Sequence, residues 1–544
     1  MPVNGVRLAW ALLTLCQVGL AAPPFELSDA HRKAVNRQRR IAVQYDAADH
    51  RHVALPTGEW LKYVFAFVDE PGSQIDSILW DIGLGDWAVY PSKVLAPTRD
   101  TQIVKWRAAG FDWVDALVRA CRERKIEVLW NHRFSEVDIA PEGGLEMKLM
   151  HPLKEKHPDW VIKSWWWQGL WNAAAPGLRE YKVRQLRELV ENYPLDGIRI
   201  DFARHVPCLP PGRQWEMRDH VTGFLRMTRS MLLDAERRTG RPLLLGVKVP
   251  RTLEGCRIDG FDIEAWAREN LVDILTLGSR SIDVDIEAFR RVTAGTNMKL
   301  QPCLDDHHAT DGYRYPPIEF FRGVFSNWWA QGADSVSTFN WGSAPAEWAT
   351  RVGGFAGPAS QQQAYHEVGS AQTMAFKDKL FAVERRGGYP WAEGFFGRND
   401  TAPLPVVLAN DGRPESFVIR VSDDASGPRF RDAALRLVLF RAGARDQLEV
   451  LLNDQRLEAP ARDAGWKDPQ IFSPKPQPNS GGTGDYRIDP GQQLLRLEYS
   501  LQAGQLRKGR NSVRIRVVER EPFRPGHDIQ VEKVEISLRY APQK

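Results

Sequence analysis

The sequence predicts an α/β chain built as a (β/α)8 barrel followed by a C-terminal all-β sandwich of the jelly-roll kind. Three observations lead there. At 544 residues the chain is too long for one ordinary domain. Short apolar β-rich runs alternate with amphipathic stretches at helical spacing through its N-terminal part. Near residue 376 the helical period stops, and short alternating runs punctuated by turn residues take over.

Composition narrows the function classes. With 43% hydrophobic and 26% charged residues, neither a multi-span membrane protein nor a mostly disordered chain fits. Lys+Arg 73 against Asp+Glu 69 leaves +4, too even a balance for a dedicated nucleic-acid binder. The 20 tryptophans are a surplus of flat amphipathic rings that asks for a ligand or a large core.

Taken in order, residues 1–21 read as a cleaved signal: Arg7, an apolar run over 8–20, and Gly19-Leu20-Ala21 where a signal peptidase reads small residues. The expected location is secreted or periplasmic, with no membrane span because the run is too short. Residues 22–58 form an N-terminal arm whose basic stretch, His31 to Arg40, reads as a solvated lead-in. The barrel is expected over 59–370, with strands at 61–68, 77–82, 126–130, 197–200, 243–249, 272–277, 299–304 and 334–339. Helices are expected at 111–124, 178–192, 215–238, 263–270, 286–292 and 317–331. An open doubly wound sheet is the alternative, but no glycine-rich phosphate loop follows the first strand. The sandwich occupies 371–544, with strands at 416–421, 435–440, 448–452, 494–499, 512–518 and 531–540 and a long loop over 470–486.

In such a barrel the site lies at the C-terminal ends of the strands. In Asp196-Gly197-Ile198-Arg199-Ile200-Asp201, the isoleucines share the helix-facing side, so Arg199 and Asp201 point inward. An inward charge pair is costly unless compensated, which marks Asp201 as an essential carboxylate. At strand seven, Gln301, Cys303 and Asp305 share a parity, making Asp305 the partner and leaving Asp306 as a contact residue. Two carboxylates opposed across a sugar ring are what glycosidic cleavage requires, and Asp201 is expected as the acid/base. Asp69, Asn131, His132, Arg199, Arg204, Lys248, Asn340 and Trp341 are expected to bind substrate. So are Trp166 and Trp167, from a tryptophan-rich loop whose indoles suit stacking on pyranose faces.

No cofactor or metal is expected: His307 and His308 are consecutive and poor co-ligands, and Cys121, Cys208, Cys256 and Cys303 are too widely spaced for a zinc cluster. Cys208 and Cys256 follow neighbouring strands, where a disulfide is feasible. The expected partner is a carbohydrate substrate. Two other functions fit the same residues: a glycan-binding protein on a degenerate barrel, and a polysaccharide lyase using Lys248, Arg251, Arg280 and His307.

Three blocks carry a family resemblance: His157-Pro158-Asp159-Trp160, Leu170-Trp171-Asn172 with Pro176-Gly177-Leu178-Arg179-Glu180-Tyr181, and the run from Tyr193 to His205 containing Asp196-Gly197-Ile198-Arg199-Ile200-Asp201-Phe202-Ala203-Arg204. Together with Asp262 to Asp273 they resemble the glycosyl hydrolase-like 10 family, over roughly residues 61–340. The resemblance implies a (β/α)8 glycosidase-like fold with Asp201 as the strand-four acid. The strand-seven acid of related barrels is often Glu, where this chain has Asp305 and Asp306.

Overall fold

The computed structural model describes residues 23–46, 55–81, 86–98, 100–135, 150–164, 168–279, 281–305, 313, 316–339, 341, 359–385, 402–427, 429–468, 491–502, 504–521 and 528–542. The signal-like start and the segments following several barrel strands fall outside these residues.

Eight parallel strands close a barrel: β1 (Ile41–Asp46), β2 (Ile75–Asp81), β3 (Glu127–Arg133), β4 (Gly197–Asp201), β5 (Leu244–Val249), β6 (Ile274–Leu277), β7 (Lys299–Asp305) and β8 (Val336–Phe339). Each pairs with its chain neighbours, and β1 closes the ring on β8 from Ile41↔Val336 to Gln44↔Phe339. The helices are α1 (Asp29–Val35), α2 (Thr57–Asp69), α3 (Thr101–Ala108), α4 (Trp113–Glu123), α5 (Pro152–Lys156), α6 (Pro176–Asn192), α7 (Arg218–Thr239), α8 (Leu253–Asp259), α9 (Ile263–Arg268), α10 (Ile286–Val292), α11 (Ile318–Ala330) and α12 (Ala359–Tyr365). Local chemistry sets their ends. Asp112 caps α4 by accepting from the amides of Val114 and Asp115, and Gly240 ends α7 in the left-handed region at φ 67°.

Seven of the expected strands are present, and one expectation is corrected. Residues 61–68 lie in α2, where Trp60, Tyr63, Val64 and Phe67 recur at helical spacing and are buried. The true first strand, β1, falls in the stretch read as an arm, so the barrel begins before residue 59. The rest of that arm is no solvated lead-in either. Helix α1 covers the N-terminal end of the barrel, with Val35 packed on Leu244 and Ile274. His31 is fully buried between Glu236 (2.7 Å) and Asp273 (3.1 Å), and Arg39 is paired with Glu127 at 2.6 Å. Above this floor, Ala42, Leu79 and Leu129 form a small apolar layer inside the barrel.

The C-terminal domain is two antiparallel sheets. One has the order β9 (Lys379–Ala382), β18 (Ile529–Tyr540), β12 (Phe430–Phe440), β16 (Leu494–Leu501), β15 (Ala461–Asp463), with β10 (Val406–Leu408) also on β18. The other runs β11 (Glu415–Val421), β17 (Gly509–Glu519), β13 (Gln447–Leu452), β14 (Gln455–Arg456). All six expected strands are there. Leu435, Leu437 and Leu439 of one sheet join Val513, Ile515 and Val517 of the other in a common core. Asn453-Asp454 turns β13 into β14 with both residues at positive φ, the geometry of a two-residue hairpin loop.

The two domains share an interface. Helix α11 lies on β9 so closely that a Cβ at Gly323 would overlap the Leu380 carbonyl oxygen. Arg251 reaches from the barrel to Glu384 at 2.6 Å, and Arg420 of the sandwich pairs with Glu287 of α10 at 2.9 Å.

Candidate active site

The upper half of the barrel lumen is polar, and its side chains come from the parity positions that alternation dictates. Asp201 stands at the C-terminal end of β4, opposite Lys248 of β5 in register, and both are 1% exposed. Asp201 Oδ1 accepts the amide of Arg204 at 3.0 Å; Oδ2 lies 3.6 Å from Lys248 Nζ and makes no hydrogen bond among the described residues. Burial pushes the Asp201 carboxyl up, but Lys248, Arg199, Arg133 and Arg204 together hold it below the usual carboxylate range. Lys248 is pushed down by burial first and by Arg199, against the opposing charges of Asp201 and Asp305. Asp305, at the end of β7 and 1% exposed, thus acts on the same ammonium as Asp201.

A third carboxylate anchors this arrangement. Asp81, at the end of β2, accepts from Gln44 Nε2 (3.0 Å) and Asn131 Nδ2 (2.6 Å) and pairs with Arg133 Nε (2.8 Å). The Gln44 carbonyl oxygen accepts from Lys248 Nζ at 3.0 Å and from Arg199 Nη2. Arg199 Nε donates to Asn131 Oδ1 at 2.6 Å. Gln44 therefore joins the Asp81 side of the lumen to the Lys248 side. Gly246 leaves room for Arg199, whose Cγ lies 3.1 Å from where its Cβ would stand. Phe339, at the end of β8, has Lys248 Nζ 4.5 Å from its ring centroid and the guanidinium carbons of Arg133 and Arg204 each at 6.0 Å.

The structure thus brings Asp201, Asp305, Asn131, Arg199, Arg204 and Lys248 together at the expected end of the barrel. It removes three expected contacts. Asp69 ends α2 and is held by Arg124 at 2.6 Å, away from the lumen. His132 alternates with Asn131 and Arg133, so it faces outward toward α6. There, burial first and Lys182 second lower its pKa to about 3, with Asp86 opposing them. Trp341 donates to the Leu304 carbonyl at 3.1 Å and packs on Phe321, Phe325 and Tyr365, which makes it a core residue. Trp166, Trp167, Asp306 and Asn340 lie outside the described residues. Trp171 of the same loop is core: its Nε1 donates to Asp86 at 2.5 Å, where Lys182 also binds at 2.5 Å. Burial raises the Asp86 pKa, but the Lys182 charge, with His151 and His132, brings it down to about 2. Cys208 and Cys256 are separate buried thiols, so no disulfide joins those loops. Sequence reasoning missed Gln44, because β1 was not recognised, and Phe339, an apolar residue with no chemical signature of its own. No group of three or more His, Cys, Asp or Glu side chains that could hold a metal occurs among the described residues. None of their helices is long and apolar enough to cross a membrane.

No family model and no curated protein matches the chain. Solved structures with a similar course include a cycloisomaltooligosaccharide glucanotransferase from Paenibacillus sp., at 10% identity over 92% of this chain and 57% of that one, TM-score 0.34. An α-L-fucosidase from Paenibacillus thiaminolyticus overlaps at 14% identity over 63% of this chain and 51% of that one, TM-score 0.40. A maltogenic α-amylase from Thermotoga neapolitana overlaps at 11% identity over 89% and 100%, TM-score 0.35. This chain spans 57% and 51% of the first two structures' length. These neighbours are carbohydrate-active proteins, and none of the overlaps carries an activity over to this chain.

Proposed function

We propose that this protein is a glycoside hydrolase of the exported compartment, acting on a polysaccharide or oligosaccharide at the C-terminal mouth of the barrel. One observation carries the proposal: Asp201 sits inside the lumen at that end, ionised, with one oxygen uncommitted, and a second carboxylate, Asp305, acts on the same lysine. The glycosyl hydrolase-like 10 resemblance supports it, since residues 193–205 run from the C-cap of α6 through β4 to the turn that holds Asp201. The signal-like residues 1–21 support export.

The electrostatics revise the role of Asp201. A proton donor needs a raised pKa, whereas four cations favour the charged form here. Asp201 therefore acts as the nucleophile, or as the charge that stabilises a developing oxocarbenium ion, and Asp305 as the proton donor. Lys248 and Arg199 hold the carboxylate; Asn131 and Arg204 contact the sugar.

The test is reducing-end release from a broad glycan panel by wild type, Asp201→Asn and Asp305→Asn. Each variant should lose about three orders of magnitude in kcat. Small nucleophilic anions such as azide should rescue Asp305→Asn as a glycosyl azide of retained configuration. Turnover unchanged in Asp201→Asn would sink the proposal. The cations around Phe339 favour one other reading, a lyase acting on uronates; products with the absorbance of an unsaturated uronate would establish it. Arg251 is not available to that reading, because it is committed to Glu384 and the Asp283 carbonyl.

A further inference from the structure

We propose that residues 150–164 and 168–171, which lie between β3 and α6 beside the barrel mouth, are held by an acid-operated latch. His151 docks them as a neutral imidazole and lets them go when it is protonated. The latch operates whether or not the mouth is a hydrolase site.

The two ring nitrogens of His151 have different partners. Nδ1 accepts the Leu153 amide at 3.2 Å and so caps α5, while Nε2 meets the Asp86 carbonyl oxygen at 3.2 Å. A nitrogen that accepts an N–H carries no proton, and one that meets a carbonyl must carry one. These partners therefore select the neutral Nε2–H form. A proton added at Nδ1 would point at the Leu153 N–H, ending the cap and setting two donors face to face. Solvent cannot take up the new charge, because His151 is fully buried against the rings of Trp87 (5.0 Å) and Trp171 (6.1 Å).

The surrounding charges oppose protonation too. Facing His151 are Asp86, Lys154 of α5 and Lys182 of α6. Of these only Asp86 is an acid, and it is already engaged by Lys182 at 2.5 Å and by Trp171 Nε1 at 2.5 Å. Burial first, and the two lysines after it, pull His151 below the ordinary imidazole value against Asp86. His132 of β3 stands across the same carboxylate. It too is pulled down by burial and Lys182, to about 3, and its Nε2 has no hydrogen-bond partner among the described residues. Tyr90 and Tyr181 also face Asp86, and burial keeps both phenols neutral. Two histidines that are neutral when docked and titrate near 6.5 when exposed turn acid into a local opening force, up to about tenfold per histidine for each pH unit. That force acts where the segment is tied down. His151 and Trp171 both bond to Asp86, and Lys154 Nζ donates to the Gly169 carbonyl at 2.9 Å.

The test is amide hydrogen exchange of the full chain across pH, corrected for the intrinsic pH dependence of exchange. Between about pH 7 and about pH 4.5, residues 150–164 and 168–171 should lose about tenfold or more of their protection while β4 and β5 keep theirs. In His151→Asn the side-chain oxygen still caps α5 and nothing titrates. This variant should recover at least about threefold of the loss, the remainder belonging to His132. Deuteration of the His151 ring carbon, followed by mass spectrometry over the same range, should place its titration below 6.5. That measurement needs no variant and decides the case if His151→Asn does not dock at neutral pH. Four results overturn the latch: protection kept at about pH 4.5, a loss shared equally by β4 and β5, the same loss in a docked His151→Asn, or His151 titrating at or above 6.5.

Discussion

Gln44 shows how much one neutral residue decides in this lumen. Its amide nitrogen serves Asp81, and its carbonyl oxygen serves both Lys248 and Arg199. Gln44→Leu keeps the volume but leaves two buried cations and one carboxylate each short of a partner. The expected cost is about 2–4 kcal/mol of stability, read from chemical denaturation. His31 makes a second residue-scale case. Burial opposes its charge, yet the hydrogen bond and charge of Asp273 and the hydrogen bond of Glu236 outweigh burial and the repulsion of Arg229, so its pKa is raised. A raised folded-state pKa stabilises fully below the unfolded value of 6.5 and fades as pH climbs through the folded one. The melting temperature should therefore fall between neutral and alkaline pH, and His31→Gln should flatten that slope.

At the scale of elements, the sequence disclosed most of the barrel, and its one failure is instructive. In β1 the inward positions are Ala42 and Gln44, small and polar, so the strand lacks the continuous apolar run of its neighbours. Helix α2 is rich in aromatic residues because Trp60 and Phe65 pack against their own neighbours, Trp106 and Trp80, and its run of large residues imitates a strand. The spacing of Trp60, Tyr63, Val64 and Phe67 was the signal that separates the two. Parity arguments did hold within strands: Arg199, Asp201 and Lys248 face inward as alternation requires. They failed for His132 only where two adjacent residues were both chosen from one strand, since one of them must face out. Trp341 misled because strand-end position alone does not separate a lumen residue from one under the neighbouring helix. The convergence on Phe339 could not be read at all, for it joins residues 133, 204, 248 and 339 only through closure of the ring.

For the whole molecule, the joint between barrel and sandwich behaves as part of the core. Glu384 and Arg251 are buried, so Glu384→Gln leaves the guanidinium short of its counter-charge, at a cost of about 3–5 kcal/mol. Gly323→Ala forces a methyl group against the Leu380 carbonyl oxygen, and overpacking of that kind costs about 1–3 kcal/mol. Both variants should lower one shared melting transition rather than split it, as followed by calorimetry; two separated transitions would show that the domains unfold independently.

The pairing of β1 with β8 has a further consequence for biogenesis. The strand nearest the start of the chain acquires its second neighbour only once residue 336 has been made. Until then a nascent polypeptide carries two raw sheet borders, on β1 and on whichever strand has emerged last. Such an intermediate is a natural client for a holding chaperone, and a ribosome-stalled chain ending before Val336 should remain one.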